Sequence, residues 1–284
     1  MKKLILLFIL VPSLLLAQKE TEEKKDSLLY QWVPRGIATF NLSQIAFTDW
    51  SQGGENALTY TLIGDFGLNY KTEDWNFKND MKLTYGQTKI EDEVFKINNN
   101  EVYMENVLSK RIGWVVDPYI SNTLQTVLAT GWKYSEDEGD RPIAKFFDPG
   151  YLTQSIGFTY NENDIIKTRA GLAVKETFTD EFPQYADDPE TAEVETFRFE
   201  TGVESVTDLQ FDVAKNLLYK SKLRLFSAFE HLDVWDVRWD NTIGAKVNDF
   251  LVVNFNVLLI YEKRQSLRTQ IKQALQIGIT YTIF

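Results

Sequence analysis

Apolar and polar residues alternate almost from end to end of this chain, and that two-residue period constrains the fold more than any other feature. One such segment sets Leu58, Tyr60 and Leu62 against Thr59 and Thr61. Successive side chains of a β-strand point to opposite faces, whereas a helix repeats its apolar positions every three or four residues. The pattern therefore predicts an all-β chain in which each strand has one apolar and one polar face.

The connections between these segments sort by length. Tight turns are expected at 71–74, 113–114, 162–164, 215–217 and 248–249, and they alternate with polar loops at 48–56, 88–99, 132–147, 180–193, 232–235 and 263–269. Outer-membrane barrels have short turns at the periplasmic rim and longer loops at the extracellular rim. A one-sided sheet in water would alternate equally well, but it has no reason to sort its loops in this way.

The sequence therefore predicts a transmembrane antiparallel up-and-down β-barrel of about twelve strands, an even number that returns both termini to the periplasm. Most of the segments exceed the nine to eleven residues, roughly, that a membrane strand needs. The predicted strands lie near 36–47, 57–70, 75–87, 100–112, 115–131, 148–161, 165–179, 194–214, 218–231, 236–247, 250–262 and 270–284.

The N-terminus is typical of an exported protein. Lys2 and Lys3 precede an apolar stretch that ends at Leu16, and Ala17 offers a small residue for cleavage. We expect a secretory signal peptide at 1–17, a charged periplasmic tail at 18–35 and an outer-membrane barrel at 36–284. An uncleaved anchor helix is the alternative for the first segment.

Composition excludes several classes of function. The chain has a formal net charge of −11, one histidine and no cysteine. Nucleic-acid binding needs a basic face, so nucleic acid is not expected as a partner. Cysteine-based zinc or iron–sulfur sites cannot form, and a single histidine leaves little for a transition metal. The acidic loops near 135–140 and 187–190 could offer oxygen ligands to Ca²⁺, but their spacing matches no dedicated calcium loop. We therefore expect no cofactor and no metal site.

Charged residues on the polar strand faces are predicted to meet inside the barrel. The tight turn at 215–217 brings the strand that carries Lys220, Lys222 and Arg224 next to the strand that carries Asp208 and Asp212, and opposite charges on facing strands pair. A track that guides cations, or a general acid–base pair, is the alternative reading of the carboxylates. The predicted lumen network, which would partly plug the barrel, comprises Arg169, Arg198, Glu200, Glu204, Asp208, Asp212, Lys220, Lys222, Arg224, Arg238 and Asp240.

Several short segments resemble a family of Gram-negative outer-membrane β-barrel proteins known only as a domain of unknown function. The resemblance covers nearly all of the chain after the signal peptide, and it implies the fold and the compartment but no catalytic residue. Its segments are Phe40-Asn41-Leu42-Ser43-Gln44, Phe47-Thr48-Asp49-Trp50-Ser51-Gln52-Gly53-Gly54-Glu55-Asn56, Leu83-Thr84-Tyr85-Gly86-Gln87, Phe147-Asp148-Pro149-Gly150-Tyr151, Asn216-Leu217-Leu218 with Leu225-Phe226, and Asp236-Val237-Arg238-Trp239.

The C-terminus resembles the aromatic signal that the barrel-insertion machinery reads. The last residue, Phe284, departs from the pattern, because alternation places it on the face of Thr280 and Thr282 and not on the face of Tyr281. The resemblance nevertheless implies that the insertion machinery is a partner during biogenesis.

Two further candidate sites have competing explanations. In the first predicted loop, Trp50 could contact a partner, or Gly53 and Gly54 could simply supply the positive φ angles of a hairpin turn. A hydrolase would need a serine beside the single histidine, but Ser227 lies about 13 Å from His231 along an extended strand. We therefore predict no catalytic residue and no enzyme.

Three functions remain open at this stage. The first is a small channel or solute-transport barrel with a charged, partly plugged lumen, and the second is a structural or assembly partner of other envelope proteins. An outer-membrane hydrolase is the third. The expected partners are membrane lipid, lipopolysaccharide, the insertion machinery and an envelope protein, and the expected location is the outer membrane.

Overall fold

The computed structural model describes residues 28–47, 55–135, 137–161, 163–188, 191–263 and 268–284. These residues form twelve antiparallel strands that close into a barrel, and a separate two-stranded hairpin. The strands are β1 (Trp32–Ile45), β2 (Ala57–Lys71), β3 (Trp75–Ile90), β4 (Lys96–Lys110), β5 (Asp117–Thr126), β6 (Gly131–Lys133), β7 (Arg141–Ala144), β8 (Gly150–Tyr160), β9 (Ile166–Phe178), β10 (Phe197–Ala214), β11 (Leu217–Ala228), β12 (Asp236–Lys246), β13 (Leu251–Tyr261) and β14 (Gln270–Thr282).

Closure of the barrel depends on the pairing of the first strand with the last. Strand β1 pairs with β14 from Ile37 opposite Thr282 to Leu42 opposite Ile277. Every other barrel strand pairs with its neighbours along the chain, with β5 beside β8 because β6 and β7 form the separate hairpin. A closed sheet leaves no strand edge unpaired. The predicted antiparallel barrel of twelve strands is confirmed.

The two faces of the sheet are inverted relative to a protein that folds in water. Ile120 and Ile156 are 53% and 61% exposed on the outer face, whereas their lumen-facing neighbours Ser121 and Ser155 are buried. The same inversion recurs in β14, where Leu275 is exposed and Gln276 is buried. Apolar side chains outside and polar side chains inside are the arrangement that hydrocarbon around the barrel favours.

Most connections at the two rims of the barrel differ in length as predicted, but the predicted turn 113–114 lengthens to 111–116, which is longer than the connection 91–95 at the other rim. The turn rim carries residues 72–74, 111–116, 161–165, 215–216 and 247–250, and the loop rim carries residues 46–56, 91–95, 127–149, 179–196, 229–235 and 262–269. One predicted loop is too long. Residues 88–99 shorten to 91–95, because β3 and β4 continue past a bulge beside Gly86 and pair as far as Thr88 opposite Lys96.

The predicted strand 115–131 is also too long, since β5 ends at Thr126. Beyond it the side-chain carbonyl of Asn100 accepts hydrogen bonds from the backbone N–H groups of Leu128 and Ala129, both at 2.9 Å. This contact turns the chain out of the ladder. Residues 131–133 then pair with 141–144 as the hairpin β6–β7, within the predicted loop region 132–147.

The first strand begins earlier than predicted, at Trp32 instead of residue 36. Trp32 pairs with Tyr70 in the ladder, and their ring centroids lie 4.7 Å apart. The aromatic pair extends the sheet into the segment that was predicted to be a tail. Residues 1–27, which include the predicted signal peptide, lie outside the described residues.

Asp148 joins the two longest loops of the loop rim. Its carboxylate accepts hydrogen bonds from the backbone N–H groups of Asp180 and Glu181, at 3.0 and 2.8 Å. In the same segment the ring of Phe147, which has a positive φ of 61°, occupies the space that a Cβ on Gly150 would fill. The segment Phe147-Asp148-Pro149-Gly150-Tyr151 therefore holds the loop 179–196 onto the barrel.

The side chain of the C-terminal Phe284 does not lie on the polar face, although the alternation along the strand predicts that position. Strand β14 ends at Thr282, and the Phe284 ring then lies over Gly36, where a Cβ would be 2.9 Å from its Cζ atom. Gly36 shares the outer face with Phe40. The terminal aromatic side chain thus reaches the outer face because the chain has already left the regular strand.

Candidate functional site

The centre of the lumen is occupied by one buried carboxylate and three cations. Glu105 on β4 is 1% exposed. Its carboxylate contacts the Arg169 guanidinium at 2.5 Å, the Lys222 ammonium at 2.5 Å and the Arg224 guanidinium at 3.2 Å. A buried carboxylate is stable only when it is paired and hydrogen-bonded, and here the partners are three cations and the Tyr103 hydroxyl, which donates to Glu105 at 3.0 Å. We refer to Glu105, Tyr103, Arg169, Lys222 and Arg224 as the Glu105 cluster.

The Glu105 cluster bridges the barrel from one wall to the other. Strands β4 and β11 are separated by four strands in one direction and by six in the other. Lys222 and Arg224 on β11 therefore reach Glu105 across the lumen and not along the sheet. Side chains from opposite walls are in direct contact at this depth, so the cluster closes the space between them.

The four-strand side of this bridge is filled by polar side chains. Ser155 donates a hydrogen bond to Glu204 at 2.8 Å and lies 2.7 Å from the Ser121 hydroxyl. Glu204 in turn faces Arg224 at 3.5 Å. The Arg169 guanidinium lies 6.0 Å from the centre of the Tyr119 ring, within reach of a cation–π interaction. These contacts link β5, β8, β10 and β11 on the four-strand side of the lumen.

A second contact spans the lumen nearer to the loop rim. Arg238 on β12 contacts Glu101 on β4 at 2.7 Å, and it also contacts Asp240 on its own strand at 2.9 Å. Five strands separate β4 from β12 in either direction, so the two strands face each other. Glu101 and Glu105 lie on the same lumen face of β4, and both are tied to the opposite wall.

A cavity opens beside this second contact. It has an empty volume of about 720 Å³, is open to solvent, and is lined by residues that include Tyr151, Lys175, Phe226 and Arg238. The Lys175 ammonium lies 2.9 Å from Asp236 and 2.7 Å from Glu262. We refer to this space as the loop-side vestibule.

The six-strand side of the lumen is closed at mid-depth by a layer of small polar side chains. Asn41, Thr61, Thr84 and Gln276 are all nearly or completely buried there. Gln276 donates a hydrogen bond to the Thr61 hydroxyl at 3.1 Å, but neither amide atom of Asn41 has a hydrogen-bond partner within the described residues. Asn41 fits because the residue opposite it is Gly278, whose Cβ would lie 2.3 Å from the Asn41 Oδ1 atom.

Below that layer, the lumen widens toward the turn rim into a space lined by charges. Arg35 contacts Asp65 at 2.8 Å and Asp80 at 3.0 Å, and Lys78 contacts Asp80 at 2.6 Å. Lys82 points into the same space and is exposed to solvent. We refer to this space as the turn-side vestibule.

Some of the predicted lumen residues meet and others do not. Arg169, Glu204, Asp208, Lys222 and Arg224 converge at the Glu105 cluster, and Arg238 meets Asp240. The remaining predicted residues lie elsewhere in the lumen or at its rims. Arg198 donates to the Asp187 backbone carbonyl, Glu200 lies opposite Lys175, Asp212 is exposed, and Lys220 faces the turn-side vestibule.

The predicted pairing between β10 and β11 is confirmed for Asp208 and Lys222 and is wrong for Asp212. Asp208 does lie opposite Lys222, but the distance is 3.6 Å, longer than the 2.5 Å between Lys222 and Glu105. Asp212 lies opposite Leu218, because the register shifts at a bulge between Asp212 and Ala214. The main partner of these cations comes from across the barrel and not from the neighbouring strand.

Sequence reasoning missed the residues of β4 that organise the lumen. Tyr103, Glu105 and Glu101 alternate along one face of a predicted strand, and that alternation was the only available signal. Tyr103 accepts a hydrogen bond from Arg224 at 2.5 Å, so it belongs to the same cluster. Arg35 and Lys175 were missed for the same reason, since nothing local distinguishes a lumen charge that finds a partner several strands away.

The chain around His231 is not extended as predicted. Residues Phe229–His231 form a 3₁₀ turn, which brings the backbone carbonyls of His231 and Val234 within 3.3 and 2.8 Å of the Ser227 hydroxyl. The Ser227 proton is therefore donated to the backbone. The 13 Å separation that assumed a straight strand is wrong, but the hydroxyl still does not meet the imidazole.

The predicted loop contact, which consists of Trp50, Gly53 and Gly54, lies outside the described residues. At the neck of that loop, the Asn56 side chain accepts a hydrogen bond from the Phe47 N–H at 2.6 Å, and the Asn56 N–H donates to Glu91 at 2.5 Å. Across the described ranges no group of three or more side chains is arranged to hold a metal ion. Nor is any helix in those ranges long and apolar enough to cross a membrane.

A family model described as "Protein of unknown function (DUF3078)" matches residues 42–132. The match confirms the resemblance to a family of unknown function over this part of the chain, which extends from β1 to β6 and includes Glu101 and Glu105. No curated protein matches the chain.

Solved outer-membrane barrels are similar in overall fold. The translocator domain of the autotransporter NalP from Neisseria meningitidis is 10% identical over 90% of this chain and 91% of that chain, with a TM-score of 0.39. The COG4313 outer membrane channel from Pseudomonas putida F1 is 9% identical over 88% and 94%, with a TM-score of 0.38. The CymD monoaromatic hydrocarbon channel is 9% identical over 90% and 89%, with a TM-score of 0.35.

Proposed function

We propose that this protein is an outer-membrane solute-transport barrel whose lumen is closed by the Glu105 cluster in the conformation described here. The observation that carries the proposal is the direct contact of Glu105 on β4 with Lys222 and Arg224 on β11, across a closed barrel.

The outer-membrane location is supported by the outer face and the N-terminal sequence together. Large apolar side chains such as Leu275, which is 66% exposed, cover the outside of the strands. Water would not favour such a surface, whereas hydrocarbon does. The first seventeen residues have the composition of a secretory signal peptide, which agrees with export beyond the inner membrane.

Transport is favoured by the presence of solvent on both sides of the closure. The loop-side vestibule reaches Arg224 from one rim, and the turn-side vestibule contains the exposed Lys82 toward the other. A plug made only for rigidity is served as well by apolar side chains, because buried ion pairs often stabilise a fold no better than well-packed hydrophobic residues. A charged closure between two hydrated spaces is instead suited to a barrier that opens.

The proposal is tested by conductance across planar lipid bilayers. The charge-balanced variant Glu105→Ala with Lys222→Ala removes the bridge and leaves Arg169 and Arg224 beside Glu204 and Asp208. We expect low conductance for the wild-type protein and a clear increase for this variant. A matched control is Lys133→Ala, which removes a lysine from the β6–β7 hairpin outside the barrel wall and should behave as the wild type does.

Two results would contradict the proposal. A wild-type protein that conducts as well as the bridge variant would show that the Glu105 cluster is not the barrier. A bridge variant that inserts and remains heat-modifiable in gel migration, as folded barrels are, yet conducts no ions or small solutes would also show that the Glu105 cluster is not the barrier, because the contact between Arg238 and Glu101 would then be enough to keep the lumen closed.

A second candidate function, assembly with another barrel, is favoured by one feature of the outer face. Four amide side chains lie directly opposite one another on adjacent strands, among apolar neighbours: Asn79 faces Asn106, Asn106 faces Asn122, and Asn122 faces Gln154. Within the described residues, only Asn79 and Asn106 of this row are hydrogen-bonded to each other, at 2.8 Å.

Amides in hydrocarbon without partners are costly, and an amide both donates and accepts hydrogen bonds. A second copy of the row is therefore a complementary partner for the first, and we propose a homodimer formed through this face. The absence of cysteine from the sequence makes cysteine crosslinking specific. Asn122→Cys should form a disulfide-linked dimer in membranes, whereas Leu275→Cys on β14 should not. Equal crosslinking at both positions would contradict the dimer.

A further inference from the structure

The charges of the turn-side vestibule do not balance. Two carboxylates, Asp65 and Asp80, face four cations: Arg35, Lys78, Lys82 and Lys220. Arg35 contacts both carboxylates, and Lys78 contacts Asp80. Lys82 lies directly opposite Asp65 in the β2–β3 ladder, but the Asp65 carboxylate is held by Arg35. In the part of the chain that the structure describes, neither Lys82 nor Lys220 has a carboxylate within ion-pair distance.

The neighbouring Glu105 cluster does not supply the missing negative charge. Its three cations, Arg169, Lys222 and Arg224, are matched by Glu105, Glu204 and Asp208. Within the described residues, Lys82 and Lys220 therefore form no ion pair on the turn side of the closure, although the chain as a whole carries a net charge of −11.

Lys82 and Lys220, which form no ion pair within the described residues, share one space and are open to water. They are carried by strands that face each other across the barrel, since Lys82 is on β3 and Lys220 is on β11. Lys220 lies within electrostatic range of Lys82, Asp65, Asp80 and Arg35. Both lysine side chains are exposed to solvent within the lumen. Like charges that face each other in a confined, hydrated space repel, and a bound anion relieves that repulsion.

We infer that Lys82 and Lys220 form a binding site for small anions that carry phosphate or carboxylate groups, at the turn side of the closed lumen. Lysine side chains bind phosphate as point charges, and rings of lysine and arginine favour anions in membrane pores. The inference rests on the proposed transport function for its biological meaning, since it names anionic solutes as the substrates. The binding itself does not require the lumen to open.

Binding is tested by calorimetric titration of inorganic pyrophosphate into the detergent-solubilised full chain at low ionic strength, because salt screens such contacts. We expect the wild-type protein to bind pyrophosphate, and each of Lys82→Gln and Lys220→Gln to weaken that binding by about tenfold or more. The double variant should not bind. Lys133→Gln, which removes a lysine outside the lumen, should bind as the wild type does.

Two results of this titration would overturn the inference: no binding to the wild-type protein at millimolar pyrophosphate, or equal binding by the wild type and the double lysine variant. Heat-modifiable gel migration of each variant shows whether it is folded. Because the titration needs no current, it separates failure of the anion site from failure of the proposed transport function.

A second measurement uses the bridge variant Glu105→Ala with Lys222→Ala in a bilayer under a KCl gradient. We expect the reversal potential to show a preference for chloride, and Lys82→Gln with Lys220→Gln in that background to reduce the preference. A cation preference that the lysine substitutions leave unchanged would overturn the inference even if the bridge variant conducts.

Discussion

Removal of the charge on Glu105 should destabilise the barrel more than any other single carboxylate substitution in the lumen. Glu105→Gln keeps the shape of the side chain but leaves Arg169, Lys222 and Arg224 around a neutral amide. At an effective dielectric constant of about 20, two like charges about 4 Å apart repel by about 4 kcal/mol. Loss of one partner from a buried ion pair costs about 3–5 kcal/mol. We expect a loss of about that size in the free energy of unfolding.

Substitution of a second lumen carboxylate on the same strand is the control for this loss of stability. Glu101→Gln also removes a lumen charge from β4, but its partner Arg238 keeps the contact with Asp240 at 2.9 Å. The expected cost is therefore about 1 kcal/mol, the usual net value of a single hydrogen bond. A second substitution, Lys222→Gln, in the Glu105→Gln background should recover part of the loss, because it removes one of the repelling cations.

The assay is equilibrium unfolding in guanidinium chloride, with the protein in lipid vesicles and tryptophan fluorescence as the signal. The prediction is tested by comparing the loss in the free energy of unfolding of Glu105→Gln with that of Glu101→Gln. If Glu105→Gln costs less than about 1 kcal/mol, or no more than Glu101→Gln, then the cations around Glu105 are solvated well enough to tolerate one another. The account of a buried bridge across the lumen would then be wrong.

Three further predictions concern the loop rim and two glycines. Asp148→Ala removes the acceptor of two backbone N–H groups, so we expect faster cleavage by a glutamate-specific protease within 179–196 in intact, folded barrels. Glu195, whose pKa is lowered to about 2 by a backbone N–H and a hydroxyl of the same loop, stabilises that loop above its ordinary pKa of 4.5. The stabilisation should be lost as the pH falls toward about 2, as amide chemical shifts within the loop will show. Gly157→Ala places a Cβ 2.1 Å from a backbone carbonyl oxygen, whereas in Gly278→Ala the close atom belongs to a side chain that can rotate. The first variant should therefore give the lower yield of heat-modifiable barrel, and equal yields would contradict this reasoning.

Alternation along the chain was enough to predict the fold. A strand has a strict two-residue period, so each residue's face follows from its parity, and the apolar faces of consecutive segments all require the same apolar surroundings. Turn lengths then separated one rim from the other. Errors arose where a side chain acted on the backbone: Asn100 ended β5 early, and Trp32 extended β1 through its contact with Tyr70.

Only part of the candidate site could be predicted from the sequence. Parity places Asp208, Lys222 and Arg224 in the lumen, and neighbouring strands made a pairing between them the natural expectation. Sequence could not show that Glu105 and Glu101 reach the opposite wall, or that Lys82 and Lys220 form no ion pair within the described residues. Those facts depend on which strands face each other after closure and on how far apart the walls lie.

The amino-acid sequence by itself determined that the chain forms a barrel, which residues face its lumen and which of its rims carries the long loops, because all three follow from local periodicity and turn length. Only the tertiary structure decided that side chains from opposite walls meet at the centre of the lumen and that Lys82 and Lys220 form no ion pair within the described residues on one side of that contact. The physical reason is distance along the chain. Glu105 and Lys222 are far apart in sequence and on opposite walls, and nothing local encodes a contact between them.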